Sequence, residues 1–369
     1  MSFDDSGLTG EGRIIPAFQQ EAWAEALSAF SSPDVYFTCG YHRLSEIDAQ
    51  REAFLYWHRT AGHTICFPFL SDVIPQSIYP DRTFHDFESC YGYTGPLATT
   101  TDPEILDQLW APFRAWCPSV GMVAGITRFH PLLQTDRFAA RETRLCFNRE
   151  MIYIDLEQDE ASLWASYPAK QRNQIRQSTR NGLVARWGNR DEIKSKFVPI
   201  YLEAMKYAGA TERYAFNDSY FDYLSGSFGE LEVLFIEKDA VPVAGALFLQ
   251  GRELYHYHLS GSLPESRSLR PNNLLLHEAA LHAMHLGYKR FHLGGGRTTA
   301  ADDALFKFKA SFSPHTTKYL IGETVCLPEI HQRLCDDWLD RAGISERPAS
   351  LRFYRDPLPG GTGSGFVAP

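Results

Sequence analysis

The decapeptide Leu305–Pro314 (LFKFKASFSP) places Lys307 and Lys309 among Phe306, Phe308 and Phe312. An ammonium beside an apolar cluster is a device for stabilising a developing oxyanion, because a low local dielectric strengthens its field. The competing interpretation is a surface lysine whose stem covers apolar neighbours. From Ala169 to Arg190 the chain carries Lys170, Arg172, Arg176, Arg180, Arg186 and Arg190 without one acidic residue. Arg172, Arg176 and Arg180 recur every four residues and fall on one face of a helix. Like charges at that spacing repel, so the stripe is a candidate phosphate site; a plain solvated helix is the alternative. The segment Tyr255–Ser260 (YHYHLS) alternates tyrosine with histidine. In a strand this puts the two residue types on opposite faces, one packing and the other lining a cleft. Gly294-Gly295-Gly296-Arg297 allows close backbone approach, to a ligand or to a neighbouring stretch of chain.

Other chemistries find no support. His277-Glu278 and His282 imitate a zinc-protease helix, but histidines five apart are turned by about 140° and do not share a face. His282 and His285 are a pair without a third ligand, so no metal is expected. There is no G-x-S-x-G elbow and no Walker A or dinucleotide fingerprint. The seven cysteines are widely spaced without a Cys-x-x-Cys pair, which predicts reduced thiols in a cytoplasmic chain. The acidic, glycine-bearing N-terminus does not resemble a signal peptide. No apolar run approaches the roughly 20 residues that span a bilayer.

Elements that must position these groups can be read from the patterning. Of 369 residues, 36 are Lys or Arg and 45 Asp or Glu, a net charge of −9, with a pI near 5.8. That balance disfavours a duplex-DNA partner, whose affinity comes from neutralised phosphates, and leaves room for a local basic groove. The length favours two domains, and the spacing predicts 1–150, 151–345 and a flexible tail over 346–369. Helices are expected over 20–30, 103–116, 163–181, 198–208, 220–224 and 271–286. Strands are expected over 36–39, 54–57, 64–69, 122–129, 151–156, 231–237, 243–250, 252–260 and 290–293, with Lys238-Asp239 as a hairpin turn. The class is α+β.

Taken in order, Trp164–Val184, Tyr255–Ser262, Tyr288–Gly296 and Phe308-Lys309-x-x-Phe312 resemble the FemABX-like aminoacyltransferases. Tyr91–Leu97 and Arg128–Leu133 look like N-terminal counterparts, so the resemblance covers about residues 20–330. It implies two tandem GNAT-like domains of mixed sheet and helix. The long charged helical hairpin carried by some members is absent from the sequence. It also implies transfer of an amino acid from aminoacyl-tRNA to an amine of a peptidoglycan precursor, or of a small peptide or secondary metabolite, without a bound cofactor. In that family the lysine matched by Lys309 is thought to stabilise the oxyanion, with Phe308 and Phe312 shaping its pocket. Lys170, Arg172 and Arg176 would meet phosphates of the acceptor or of the tRNA 3′ end, and Tyr255 and Tyr257 would line the groove. Two alternatives stand beside this: an acyl-CoA-dependent N-acyltransferase acting on a sugar amine or small metabolite, and a non-catalytic tandem binding protein.

Overall fold

The computed structural model describes residues 8, 11–31, 33–49, 51–75, 78–209, 216–300 and 302–359. In chain order the first elements are β1 (Arg13–Pro16), α1 (Gln20–Leu27), α2 (Cys39–Ala49), β2 (Glu52–Thr60), β3 (His63–Val73), β4 (His85–Glu88), β5 (Leu97–Ala98), α3 (Pro103–Ser119) and β6 (Met122–Arg128). There follow β7 (Arg144–Asp155), α4 (Glu160–Ser166), α5 (Ala169–Arg180), β8 (Leu183–Gly188), α6 (Val198–Tyr207), α7 (Asp218–Gly226), β9 (Leu231–Lys238), β10 (Val241–Gln250) and β11 (Leu254–Ser262). The chain closes with α8 (Pro271–His285), β12 (Arg290–Gly294), α9 (Ala304–Ala310), β13 (Thr316–Val325) and α10 (Pro328–Ala342).

Two compact units result. One takes Met1–Ser31, Tyr36–Asn148 and Tyr319–Pro369, the other Ser32–Val35 and Arg149–Lys318. This corrects the expectation of a single division near residue 150 with a second domain running to 345. The chain returns because β13 pairs antiparallel with β6, Ile321 opposite Arg128. Leu334, Cys335 and Trp338 of α10 then bury against Phe84, Val123, Phe353 and Tyr354. The expected flexible tail is corrected over 346–359 for the same reason; residues 360–369 lie outside the described residues. Arg352 donates to Glu88 (2.5 Å), Tyr354 to Asp86 (2.8 Å) and Arg355 to Asp86 (2.5 Å). A buried carboxylate without such partners is costly, so this segment is bound into its unit.

Each unit builds the same motif. In the first, β2, β3 and β4 are successive antiparallel strands, and α3 crosses over to β6, which lies parallel to β4. Asp102 caps α3 by accepting from the amides of Glu104 (2.9 Å) and Ile105 (3.2 Å). The helix then buries Leu109, Phe113 and Trp116, spaced i, i+4, i+7, against Phe67, Phe69 and Phe87. In the second, β9, β10 and β11 are antiparallel, and α8 crosses over to β12, parallel to β11, with β7 antiparallel on the far side of β12. The β9–β10 hairpin turns on Asp239 and Ala240, both with positive φ (51° and 62°), one residue on from the expected pair. Ala279, Ala280 and Ala283 let α8 sit close on the strands, over Tyr255, Phe291 and Leu293.

Two expectations, one helical and one of a strand, were wrong for local reasons. Residues 163–181 form two helices, because Pro168 in extended geometry separates α4 from α5. The expected strand 36–39 is a 3₁₀ turn (Val35–Phe37) leading into α2. Its aromatic residues pack as turn and helix side chains, Tyr36 edge-on to Tyr41.

Candidate functional site

In the second unit the parallel pair β11–β12 is short. Only Leu254↔Arg290, Tyr255↔Phe291 and His256↔His292 are in register. Beyond them β11 continues to Ser262 and β12 to Gly294 without pairing to each other. Strands that share three rungs and then part leave a fork between them, lined by backbone not committed to that ladder.

Lys309 lies at the β12 side of this fork. It sits in the last turn of α9, 8% exposed, and its Nζ donates to Gly295 O at 2.8 Å, immediately after β12. The same ammonium lies 5.8 Å from the ring centroid of Tyr257 on β11. Burial pushes its pKa down to about 7, while Asp303 pulls it up and Arg149 pushes it further down. Lys309 is therefore an ionisable group poised near neutrality rather than a permanently charged surface lysine. The snorkelling alternative applies instead to Lys307, which is exposed.

Asp303 fixes the helix that carries Lys309. Its carboxylate caps α9 by accepting from Phe306 N (2.8 Å), and it also takes the amides of Arg297 and Thr298 (both 3.0 Å). Partial burial opposes its ionisation, but these hydrogen bonds win and hold the carboxyl below its ordinary range. The triple glycine now has a packing explanation. A Cβ on Gly296 would stand 2.4 Å from Asp303 Oδ1, and one on Gly295 would stand 2.9 Å from Arg149 Cδ and Met151 Sδ. The loop approaches neighbouring chain, and Arg149 ties it down by donating to Gly296 O (2.8 Å).

At the other end of α9, Ser311 Oγ donates to Gln171 Oε1 (3.0 Å), which also accepts from Asn273 Nδ2 (3.1 Å). Gln171 is 1% exposed, so α5, α8 and the end of α9 meet through one buried amide. Sequence reasoning missed both positioning residues. Gln171 lies on the buried face of α5 with Ile175 and Ser178, but a polar residue is invisible to apolar periodicity. Asp303 could have been found: an acidic residue three before Phe306 is a helix N-cap signal.

The remaining expected site residues distribute as follows. Phe312 is buried against Tyr167 and Phe308 (5.6 and 5.5 Å between centroids), so the aromatic cluster around α9 exists. Tyr257 faces Lys309 and donates to Ser260 Oγ (2.6 Å). Tyr255 does not line a groove. It is fully buried, stacked on Phe248 (5.2 Å), with its hydroxyl donating to Glu232 (2.8 Å). The physical reason is that α8 covers the Tyr255 face of β11. Lys170 is exposed on the first turn of α5. Arg172 donates to the carbonyls of Ala165 (3.2 Å) and Tyr167 at the end of α4, and Arg176 stacks over Trp164 (5.2 Å). The acid-free character of the stripe ends in space: Arg186 is held by Glu192 (2.9 Å) and Glu237 (2.8 Å). His282 and His285 point to separate carboxylates, Glu232 and Glu160 (3.2 and 2.6 Å).

In each unit a helix crosses over to a parallel strand, and known proteins are similar to this chain. A family model described as "Acetyltransferase (GNAT) domain" matches residues 169–309. Among solved structures, FemX superposes with a TM-score of 0.66 at 12% identity, covering 88% of this chain and 99% of that one. This is a Fem-like tandem GNAT fold. L-PGS from Bacillus licheniformis aligns with a TM-score of 0.50 at 11% identity, over 82% of this chain and 91% of that one. By sequence, the chain is 23% identical over 274 residues to the UDP-N-acetylmuramoylpentapeptide-lysine N(6)-alanyltransferase of Weissella viridescens. That match covers 68% of this chain and 80% of the relative. No helix among the described residues is long and apolar enough to cross a membrane.

Proposed function

We propose that this Fem-like chain is an acyltransferase that moves an aminoacyl group from aminoacyl-tRNA to an amine, on a peptidoglycan precursor or a small peptide or metabolite. The observation that carries this reading is the buried Lys309 ammonium, held by Gly295 O beside the β11–β12 fork. The similarity to an alanyltransferase over two thirds of the chain supports the aminoacyl donor and the peptidoglycan-type acceptor. In the reaction a neutral amine attacks the ester carbonyl. Lys309 stabilises the oxyanion as it forms, and the ribose oxygen leaves. One such donor in a water-poor site is worth on the order of 100-fold in rate or more. Phe308 and Phe312 keep that site apolar, and Tyr257 contributes its ring face to the ammonium. Lys170, Arg172 and Arg176, on the first turns of α5, are the cations offered to phosphates of the tRNA end or the acceptor. The setting we assign is the cytoplasm, where charged tRNA is found.

The match of residues 169–309 to an acetyltransferase domain favours a second reading, in which the donor is an acyl-CoA. A donor screen separates the two. Wild-type protein is incubated with amine acceptors and either an aminoacyl-tRNA mixture or an acyl-CoA mixture, and acceptors are scored by mass. The aminoacyl reading expects additions of amino-acid residue mass from the first mixture. Acyl additions from the second mixture alone, with heat protection by acetyl-CoA and none by charged tRNA, would replace it.

A further inference from the structure

Two thiols meet in the first unit from distant stretches of its sequence. Cys117 lies in the last turn of α3, on the face that buries Trp110, Phe113 and Trp116. Cys326 follows the final residue of β13, more than 200 residues later. The two positions belong to the stretches Tyr36–Asn148 and Tyr319–Pro369 of that unit. Strand β6 holds both in place. Gly121, with a φ of 75°, turns the chain from α3 into β6, and the amides of Cys326 and Leu327 donate to Val123 O on that strand (2.8 and 3.1 Å). Both cysteines are free thiols, and their side chains are hydrogen-bonded to each other. The bond favours the protonated form of Cys117, so its S–H donates to the Cys326 sulfur.

The same two residues line a cleft of about 390 Å³, with Phe87 and Phe113 in its apolar wall and Arg114 and Glu142 among its polar residues. Cys117 is fully buried in the aromatic cluster, whereas Cys326 packs against that cluster only part-buried. A small reagent in the cleft therefore meets the Cys326 sulfur first. Burial above all, then the bond to Cys326 and the Glu142 carboxylate, keep the Cys117 thiol protonated. A thiol buried alone is inert. One in contact with a second sulfur has a further role, because it can attack a mixed disulfide already formed on that neighbour. We propose that Cys117 and Cys326 form a dithiol modification site, which a small-molecule disulfide oxidises to an intramolecular disulfide. The site is independent of the acyl-transfer reading.

The exchange balances with that reagent alone. Cys326, as its thiolate, attacks one sulfur of the reagent RSSR. An S–S bond forms between Cys326 and that sulfur, the reagent's own S–S bond breaks, and the released RS⁻ takes up the proton that Cys326 lost. Cys117 then gives up its proton and attacks the Cys326 sulfur. The protein disulfide forms as the second RS⁻ leaves and is protonated. Two cysteine thiols are oxidised, and one reagent disulfide is reduced to two RSH. The sulfurs close from hydrogen-bond contact to about 2 Å. The new bond ties the end of α3 to the segment that returns after β13. It also removes freedom from the unfolded chain, and more so for a long loop.

The test uses full-length protein, with bis(hydroxyethyl) disulfide as the probe. Native protein is treated, freed of reagent and mapped by peptide mass without reduction. The expected product is a cross-linked pair of peptides carrying Cys117 and Cys326. The melting temperature should rise by at least about 5 °C and return to its starting value with dithiothreitol. Cys117→Ala should halt the exchange at its first step and leave a lasting mixed disulfide on Cys326. Cys326→Ala should leave Cys117 unmodified. A lasting adduct on Cys326 of wild type, unmodified thiols at both positions, or a cross-link that forms only in urea would overturn the proposal. A cross-link that leaves the melting temperature unchanged would refute the tie between α3 and the returning segment. The wild-type map decides the site by itself should either variant fail to fold.

Discussion

Replacing Lys309 by methionine should make the protein more stable, and the gain should shrink as pH rises. The side chain is 8% exposed, and its pKa falls from an ordinary 10.5 to about 7 because burial disfavours the ammonium. At 1.36 kcal/mol per tenfold change in proton affinity, that is roughly 5 kcal/mol of cost for holding the charged form in the fold below pH 7. Between pH 7 and 10.5 the unfolded chain binds a proton at this lysine that the folded chain does not, so wild-type stability rises with pH through that window. At pH 9 the remaining cost is about 2 kcal/mol. Methionine fills a similar volume without charge, and forfeits the hydrogen bond to Gly295 O, worth about 2 kcal/mol for a charged donor. The net gain should be about 3 kcal/mol at pH 6 and about 1 kcal/mol at pH 9, where the neutral amine's hydrogen bond is worth only about 1 kcal/mol. For a unit of this size that is on the order of 6–12 °C in melting temperature at pH 6. Thermal unfolding of both proteins, followed by circular dichroism across pH 6–9, measures it. A variant less stable than wild type at pH 6, or a difference independent of pH, would refute the assignment of Lys309 as a buried ammonium held against its desolvation cost.

Other expectations concern the supports of each unit. His42 and His277 are pushed down to about 4 and His258 to about 3 by burial. Below pH 6.5 the unfolded chain takes up protons that these sites refuse, so stability should drop between about pH 6.5 and 4, and His42→Gln should flatten part of that slope in acid titrations. Glu88→Gln should cost about 3 kcal/mol or more, because Arg51, Arg128 and Arg352 all converge on that carboxylate; urea unfolding reads the loss. Gly296→Ala would drive a methyl into Asp303, loosening the cap of α9. We expect it to cut turnover at least tenfold while moving the melting temperature by only a few degrees.

How much of this was legible in the residues follows from what apolar patterning can carry. Strands such as β9, β10 and β12 and the crossover helices α3 and α8 announce themselves by period and by caps or prolines at their starts. Lys309 stood out because phenylalanines flank it. Its engagement with Gly295 and Tyr257 depends on a turn and a strand fork that no local pattern encodes. Tyr255 and Tyr257 looked equivalent as alternate residues of one strand. One is covered by α8 and bonded to Glu232; the other reaches the ammonium. The return of 319–359 to the first unit was hidden because β13 begins with polar residues, and its partner β6 lies nearly 200 positions earlier. Asp34 could not be paired at all from sequence, since its partner His256 is contributed by a strand more than 200 residues away.

The central claim, that the Lys309 ammonium stabilises the oxyanion of acyl transfer, is tested most directly by single-turnover transfer of a labelled aminoacyl group from charged tRNA. Wild type and Lys309→Met are compared at saturating enzyme, so that binding does not enter. The account predicts a loss of about 100-fold or more in the transfer step at pH 7 and below, with the ratio of wild type to variant shrinking above about pH 7 as Lys309 deprotonates. Equal single-turnover rates for the two proteins would contradict it.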